Sequence, residues 1–276
     1  MGLYLSTQQI KKYHSDGFLT PVDLITETEA AEIVDQLEWA EKKYPGALNP
    51  VNRNNAHLSF TFFDKLAHNT ILLDAAEDLI GGNFSIWGSV LFIKEPSSPH
   101  FVSYHQDATY MGLEPHEFVS AWIALTPSNR ETGCMTMVSG THQDGIHKHD
   151  DTFHENNILT RGQKITEIDE SKKVDLILKP GQMSLHHART IHGSQPNLSQ
   201  QRRIGFTIQG YMRSGTMQGL GENYWQPARG NPQHPDMITL KRPESDMSAS
   251  GIAERDKVNQ NWVNILYNGA EKKRAF

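Results

Sequence analysis

Apolar residues recur at helical spacing early in the chain and give way to short β-type runs in its middle. Ser6 to Ser15 reads as a short helix capped by Ser6 or Thr7, with Ile10, Tyr13 and His14 on one face and Asp16-Gly17 as its stop. Phe18-Leu19 begins an extended piece. Thr26 or Thr28 caps a longer helix through about Lys43, along which Ala30, Ile33, Val34, Leu37 and Ala40 follow the 3.6-residue period. Residues 46–60 read as a polar loop. A third helix is expected from Asp64 to about Ile80, closed by Gly81-Gly82. Strands are then expected at 84–94, 101–105, 118–125, 134–138, 174–178, 182–187 and 204–211, with turn signals such as Ser139-Gly140 and Pro180-Gly181 between them. The long polar insert 139–173, rich in His, Asp and Gly, interrupts the series, and a connection of that length more often serves a site than merely joins strands. Beyond Met212 the chain reads as irregular, with Pro227, Pro232, Pro235 and Pro243, until an amphipathic helix at about 249–268.

Helices followed by many short strands imply a mainly β fold, a jelly-roll or cupin-like core flanked by N-terminal and C-terminal helices. The 276 residues are expected to form a single domain, with a helical N-terminal region over 1–82, a β core over 83–213 and an irregular to helical C-terminal region over 214–276. No linker or internal repeat divides them.

Composition narrows the function classes. A net charge of −6 with scattered Lys and Arg gives no basic stripe for nucleic acid and no polybasic membrane patch. The single cysteine, Cys134, excludes an intrachain disulfide. No apolar run reaches the roughly 18 residues of a membrane span, and the start of the chain lacks a signal segment. A cytoplasmic protein with a small-molecule substrate, with homo-oligomerisation open, is the expectation.

The candidate chemistry sits at Tyr104-His105-Gln106-Asp107, answered by His192-Gly193-Ser194 and Arg203. In a strand, residues two apart share a face, so His105 and Asp107 can converge on one ion with His192 from another strand. Two His and one carboxylate leave the opposite face of a metal open, the arrangement of non-haem Fe(II) oxygenases. If the chain turns at Gln195-Pro196-Asn197 and returns as a strand, Arg203 ends near that metal. Its planar fork suits a carboxylate, to which Ser194 can add a hydroxyl donor. The co-substrate such a site would take is 2-oxoglutarate. Taken alone, His-x-Asp is a weak pattern in a chain with 14 His.

The longer context is specific. The stretch Phe101 to Leu113, then Ala121 to Leu125, Gly133-Cys134-Met135, Ser139 to His142, Pro180 to His187, His192 to Ser199 and Arg202 to Gly205 resembles the phytanoyl-CoA dioxygenase family in order and approximate spacing. The likeness spans about 90–213, with a similar helical start at 6–43. It implies a double-stranded β-helix and dependence on Fe(II), 2-oxoglutarate and O2. It implies His105, Asp107 and His192 as iron ligands, Arg203 as partner of the distal carboxylate with Ser194 beside it, and Trp122 as an aromatic of the co-substrate pocket. Halogenating relatives carry Ala where this chain has Asp107, so the resemblance implies hydroxylation. Bacterial members act on amino acids, natural-product intermediates and, in one case, 2-aminoethylphosphonate, so an amine, amino acid, phosphonate or natural-product intermediate is the expected substrate class.

Other residues carry less. The His142, His147, His149 and His154 group reads as a solvated loop or active-site lid rather than a second metal site, because its spacing is loose. His186 and His187 read as packing or outer residues of the site. Tyr104, Thr109, Tyr110 and Met111 are expected on the substrate side, and Lys94, Arg161, Arg189 and Arg213 are candidate cations for an anionic substrate. Arg202 neighbours the site, but the spacing favours Arg203. Two rival functions use the same ligands: a metal-binding cupin-like module without turnover, and a zinc hydrolase. Arg203 and Ser194 argue against the first, and a visible charge-transfer band of Fe(II) with 2-oxoglutarate would exclude the second.

Overall fold

The computed structural model describes residues 2–273. Helix α1 (Thr7–Asp16) opens on a reciprocal capping box between Ser6 and Gln9 and ends on Gly17 in the left-handed conformation, so Ser6 rather than Thr7 is the cap. Strand β1 (Phe18–Asp23) leads to α2 (Glu27–Lys43), where Thr26 and Glu29 form a second capping box. The third expected helix is two helices, α3 (Thr61–Ala67) and α4 (Thr70–Ile80), because the Asn69 side chain caps a new start. The expected strand 84–94 is likewise broken at Trp87-Gly88 into β2 (Phe84–Ile86) and β3 (Ser89–Lys94). Then come β4 (Val102–His105), the one-turn helix α5 (Ala108–Met111), β5 (Leu113–Glu114), β6 (Val119–Ala124) and β7 (Met135–Val138). The insert contains a small ribbon, β8 (Asp150–Asp151) with β9 (Gln163–Lys164). The series continues with β10 (Lys173–Asp175), β11 (Gln182–His187), β12 (His192–Ser194), β13 (Arg203–Arg213), β14 (Met217–Gln218), β15 (Tyr224–Arg229) and β16 (Ile238–Thr239). It closes with α6 (Ala249–Leu266), capped by Ser248.

The strands make two main sheets. The larger runs β1-β11-β6-β13-β2-β15-β16, with β3 also on β13, and the smaller runs β10-β7-β12-β4. Pairing is antiparallel throughout except between β15 and β16. Strand β15 corrects the irregular reading beyond Met212.

Each face of the large sheet has its own cover. One face carries Ile86, Leu91, Ile93, Phe206 and Ile208, which pack with Leu37, Phe60, Phe63, Leu72 and Ala76 of the helical layer. Phe63 stacks on Phe206 with ring centroids 4.9 Å apart. The opposite face places Trp122 and Ala124 against Met135, Met137, Leu176 and Leu178 of the small sheet and its flank. Alternation along β6 and β13 therefore sends every second residue between the two sheets. A third apolar group fixes the C-terminal region: Trp262 of α6 stacks on Trp87 at 4.4 Å, among Met111, Phe118, Met212 and Trp225.

Candidate metal and co-substrate site

The metal candidates meet because of strand register. His192 of β12 is the cross-strand partner of His105 of β4, and their ring centroids lie 4.3 Å apart. Asp107 joins them by a turn rather than by the alternation of a strand. Strand β4 ends at His105, and Asp107 has helical backbone angles (φ −56°, ψ −40°) as it leads into α5. Its Oδ1 lies 3.4 Å from His105 Nε2 and 3.8 Å from His192 Nε2. One ligand atom from each residue falls within 4.8 Å of the others, and all three side chains are buried.

These residues fit a cation on their own chemistry. His105 Nδ1 donates to the Ser103 carbonyl at 2.9 Å and His192 Nδ1 to the Thr190 carbonyl at 3.0 Å. A carbonyl only accepts, so each Nδ1 carries a proton, and in the neutral ring Nε2 is the nitrogen with the free lone pair. Burial and the neighbouring His105 push His192 down to about 3, which keeps it neutral. Burial opposes ionisation of Asp107, and donation from His186 favours it. Two lone pairs and a carboxylate oxygen converging in a buried space repel one another unless a cation lies among them.

A second cluster closes the space between the sheets. Arg203 opens β13 and is paired in register with Lys94, the last residue of β3. The turn before it is pinned by Asn197, whose amide donates to the carbonyls of Lys94 at 3.1 Å and Gln201 at 2.7 Å. Arg203 is 2% exposed and lies 5.2 Å over the ring of Trp122. Its Nη1 donates to the Gly133 carbonyl at 3.0 Å, while its Nε has no partner. Gly133 has φ +71°, and a Cβ there would meet the Gln195 carbonyl at 2.3 Å, so only glycine turns this carbonyl toward the cation. Lys94 is fully buried and donates to Ser194 Oγ at 2.7 Å and to the Gln195 carbonyl. Burial and Arg203 push its amine down to about 6, and burial pushes the Arg203 guanidinium down to about 10. Among the described residues no carboxylate pairs with either group.

The remaining candidates separate. Arg202 turns outward to Glu41 and Glu95, which leaves Arg203 as the buried one. Arg161 binds Asp151 and the Asn268 carbonyl and lies over the Tyr110 ring. Arg213 is exposed and Arg189 half-buried. The histidines of the insert do not gather: His142 meets the His14 carbonyl, His149 accepts from the Gln106 amide, and His154 packs on Phe101. Gln106, fully buried between two ligands, donates to the carbonyls of Gly145 (2.8 Å) and Arg189 (2.7 Å) and accepts from the amide of His147 (2.8 Å). The linear pattern gives Gln106 no role and offers Lys94 only as one of four candidate cations for an anionic substrate.

A buried two-His, one-carboxylate centre beside a cationic pocket without a carboxylate partner among the described residues fits a non-haem iron enzyme that uses an oxoacid co-substrate. The phytanoyl-CoA dioxygenase (PhyH) family matches residues 13–205, and the chain belongs to this family. A probable alpha-ketoglutarate-dependent hypophosphite dioxygenase of Stutzerimonas stutzeri is 25% identical over 233 residues, covering 78% of this chain and 81% of the relative. Human peroxisomal phytanoyl-CoA dioxygenase is 30% identical over 134 residues, 47% of this chain and 40% of the relative. The solved structure of the apo non-heme monooxygenase ThoJ superposes with a TM-score of 0.80 at 29% identity, covering 92% of this chain and 98% of that one. The protein is a 2-oxoglutarate-dependent dioxygenase, with Fe(II) and 2-oxoglutarate as its cofactor and co-substrate.

Proposed function

We propose that His105, Asp107 and His192 hold Fe(II), that Arg203, Lys94 and Ser194 bind the distal carboxylate of 2-oxoglutarate beside Trp122, and that the enzyme hydroxylates a C–H bond of a small polar metabolite. The observation that carries this reading is the pairing of a buried metal-ready triad with a buried guanidinium and a buried amine that have no carboxylate partner among the described residues. The balanced reaction takes substrate, 2-oxoglutarate and O2 to hydroxylated substrate, succinate and CO2. O2 is the oxidant and takes two electrons from 2-oxoglutarate as it loses CO2 and two from the substrate, and bound iron would supply the centre for that chemistry. The protein's residues orient and exclude. Arg203 and Lys94 neutralise the carboxylate that would otherwise be stranded between the sheets. Ser194 accepts from Lys94 and so keeps its own hydrogen for the same carboxylate. Trp122 fills the wall beneath Arg203 and keeps water from the ion pair.

We read the two sheets as the halves of a double-stranded β-helix and residues 1–276 as one catalytic domain. The helical N-terminal region and α6 both pack on the large sheet or its flank, which supports this reading. The insert, tied to Gln106, covers the metal side of the barrel. The relative named for hypophosphite favours a small, polar substrate, and amines, amino acids and phosphonates such as 2-aminoethylphosphonate are the first to screen. The test is succinate release from Fe(II), 2-oxoglutarate and O2 across that panel, with His105→Ala as control. Substrate-stimulated release in the wild type alone is expected. Equal release from both proteins under every substrate would overturn the reading.

A further inference from the structure

The two oxygens of Asp107 face different sheets. Oδ1 is turned to the imidazoles of His105 and His192 on the small sheet. Oδ2 is turned to the large sheet, where Ser120 Oγ donates to it at 3.3 Å and His186 Nε2 lies 3.5 Å away. Ser120 of β6 and His186 of β11 are cross-strand register partners, 0% and 2% exposed. The His186 ring also rests 4.9 Å from that of His192. Its Nδ1 has no hydrogen-bond partner, so among the described residues only Asp107 engages the polar atoms of this buried ring. A histidine that served packing alone would be a costly choice here, since an unsatisfied buried nitrogen gains nothing over a phenyl ring.

The arrangement bears on coordination. A carboxylate can give a metal one oxygen or two. With both, Asp107 would fill a further position on the open face, leaving too few for a two-oxygen co-substrate chelate and O2 on a six-coordinate ion. Resting on the ligand assignment above, we propose that His186 and Ser120 are positioning residues that hold the outer oxygen of Asp107 on the large sheet and so keep this ligand monodentate. The sequence offers His186 as a packing or outer residue of the site; choosing between the two, and adding Ser120, needs β6 and β11 in register and the Asp107 turn between the sheets.

The test uses the full-length protein under anaerobic conditions. Mn(II) affinity is read from the free-ion EPR signal. Coordination number of the Fe(II)·2-oxoglutarate protein is read by near-infrared magnetic circular dichroism, alongside its visible charge-transfer band. Ser120→Ala, His186→Phe and the double variant are compared with wild type and with His186→Gln, whose amide can still donate. The expected result is a ~10–100-fold weaker Mn(II) affinity in the double variant, with a changed coordination number and a shifted band, and partial recovery in His186→Gln. Affinity within twofold of wild type with unchanged coordination number and band would overturn the proposal. So would loss of affinity with unchanged coordination number and no recovery in His186→Gln, because the ring then serves packing alone. Ser120→Ala removes one oxygen atom and carries the test if the aromatic substitution does not fold. His105→Ala separates the two claims: if it binds Mn(II) as wild type does, the ligand assignment itself fails.

Discussion

Arg203 and Lys94 stand directly opposite one another on adjacent strands, a buried guanidinium and a buried amine facing a space that holds no acid among the described residues. Burial adds a desolvation cost and an ammonium on Lys94 would face the guanidinium as a like charge, so the amine is pushed down to about 6 until an anion joins it. The arrangement therefore favours a bound dianion. Replacing Arg203 by Met removes one buried partner of that anion, a loss of about 3 kcal/mol or more, or over about 100-fold in Kd for 2-oxoglutarate. Arg203→Lys recovers part of this but not the fork geometry. Isothermal titration with the Mn(II) protein measures both.

Lys94 makes co-substrate binding proton-linked. Burial and Arg203 set its amine at about 6 in the free protein, so above that pH it is mainly neutral. A carboxylate placed beside it favours the ammonium and raises its pKa. Binding above pH 6 therefore takes up a proton, and affinity falls as pH rises from 6 toward the raised value, by at most about tenfold per pH unit. Calorimetry in two buffers of different ionisation enthalpy measures the uptake, and Lys94→Met abolishes it.

Gly205 is needed where Trp122 crosses β13. A Cβ there would meet Trp122 Cζ2 at 2.0 Å, so the ring must move. Gly205→Ala costs about 1–3 kcal/mol as overpacking. It lowers the midpoint of thermal unfolding and weakens 2-oxoglutarate binding together, because Trp122 is displaced from beneath Arg203.

Gln106 ties the insert to the ligand segment. Gln106→Ala deletes its side-chain bonds to Gly145, Arg189 and His147 and leaves their backbone groups to find other partners. The expected cost is about 1–3 kcal/mol per group left unsatisfied. Faster hydrogen exchange across 143–150, with slower turnover and unchanged exchange in α2, is the expected pattern.

His105, Asp107, His192 and Arg203 are singled out less by His-x-Asp, a weak pattern alone, than by the run of blocks over about 90–213, and the structure brings the three candidate ligands together. What was not legible depended on distant partners. The start of α3 at Thr61 rather than Asp64 is set by Asp246, whose carboxylate accepts from the Thr61 amide at 2.7 Å. The break before α4 falls inside an unbroken apolar period, and only the Asn69 cap marks it. Strand β15 contains Pro227 and read as loop, but that residue lies beside a register shift against β2, where the missing amide costs little. Lys94 follows a β-type run into Glu95-Pro96, and nothing local sets it apart from the other candidate cations. Its burial is decided by the register with Arg203, more than a hundred residues away. Asp107 was expected to share a strand face with His105, and a helical turn brings it there instead.

The division of the site between two sheets has a mechanical consequence. His105 and His192 belong to the small sheet, while Arg203 and Lys94 belong to the large one. On the ligand assignment proposed above, a diacid gripped at its oxo end by iron and at its far end by the cation pair is a cross-tie between the layers. Its binding energy then becomes resistance of the two sheets to separation, growing as RT ln(1 + [L]/Kd). A five-carbon co-substrate consumed at every turnover would thus also brace the two sheets, and that brace would slacken each time succinate leaves.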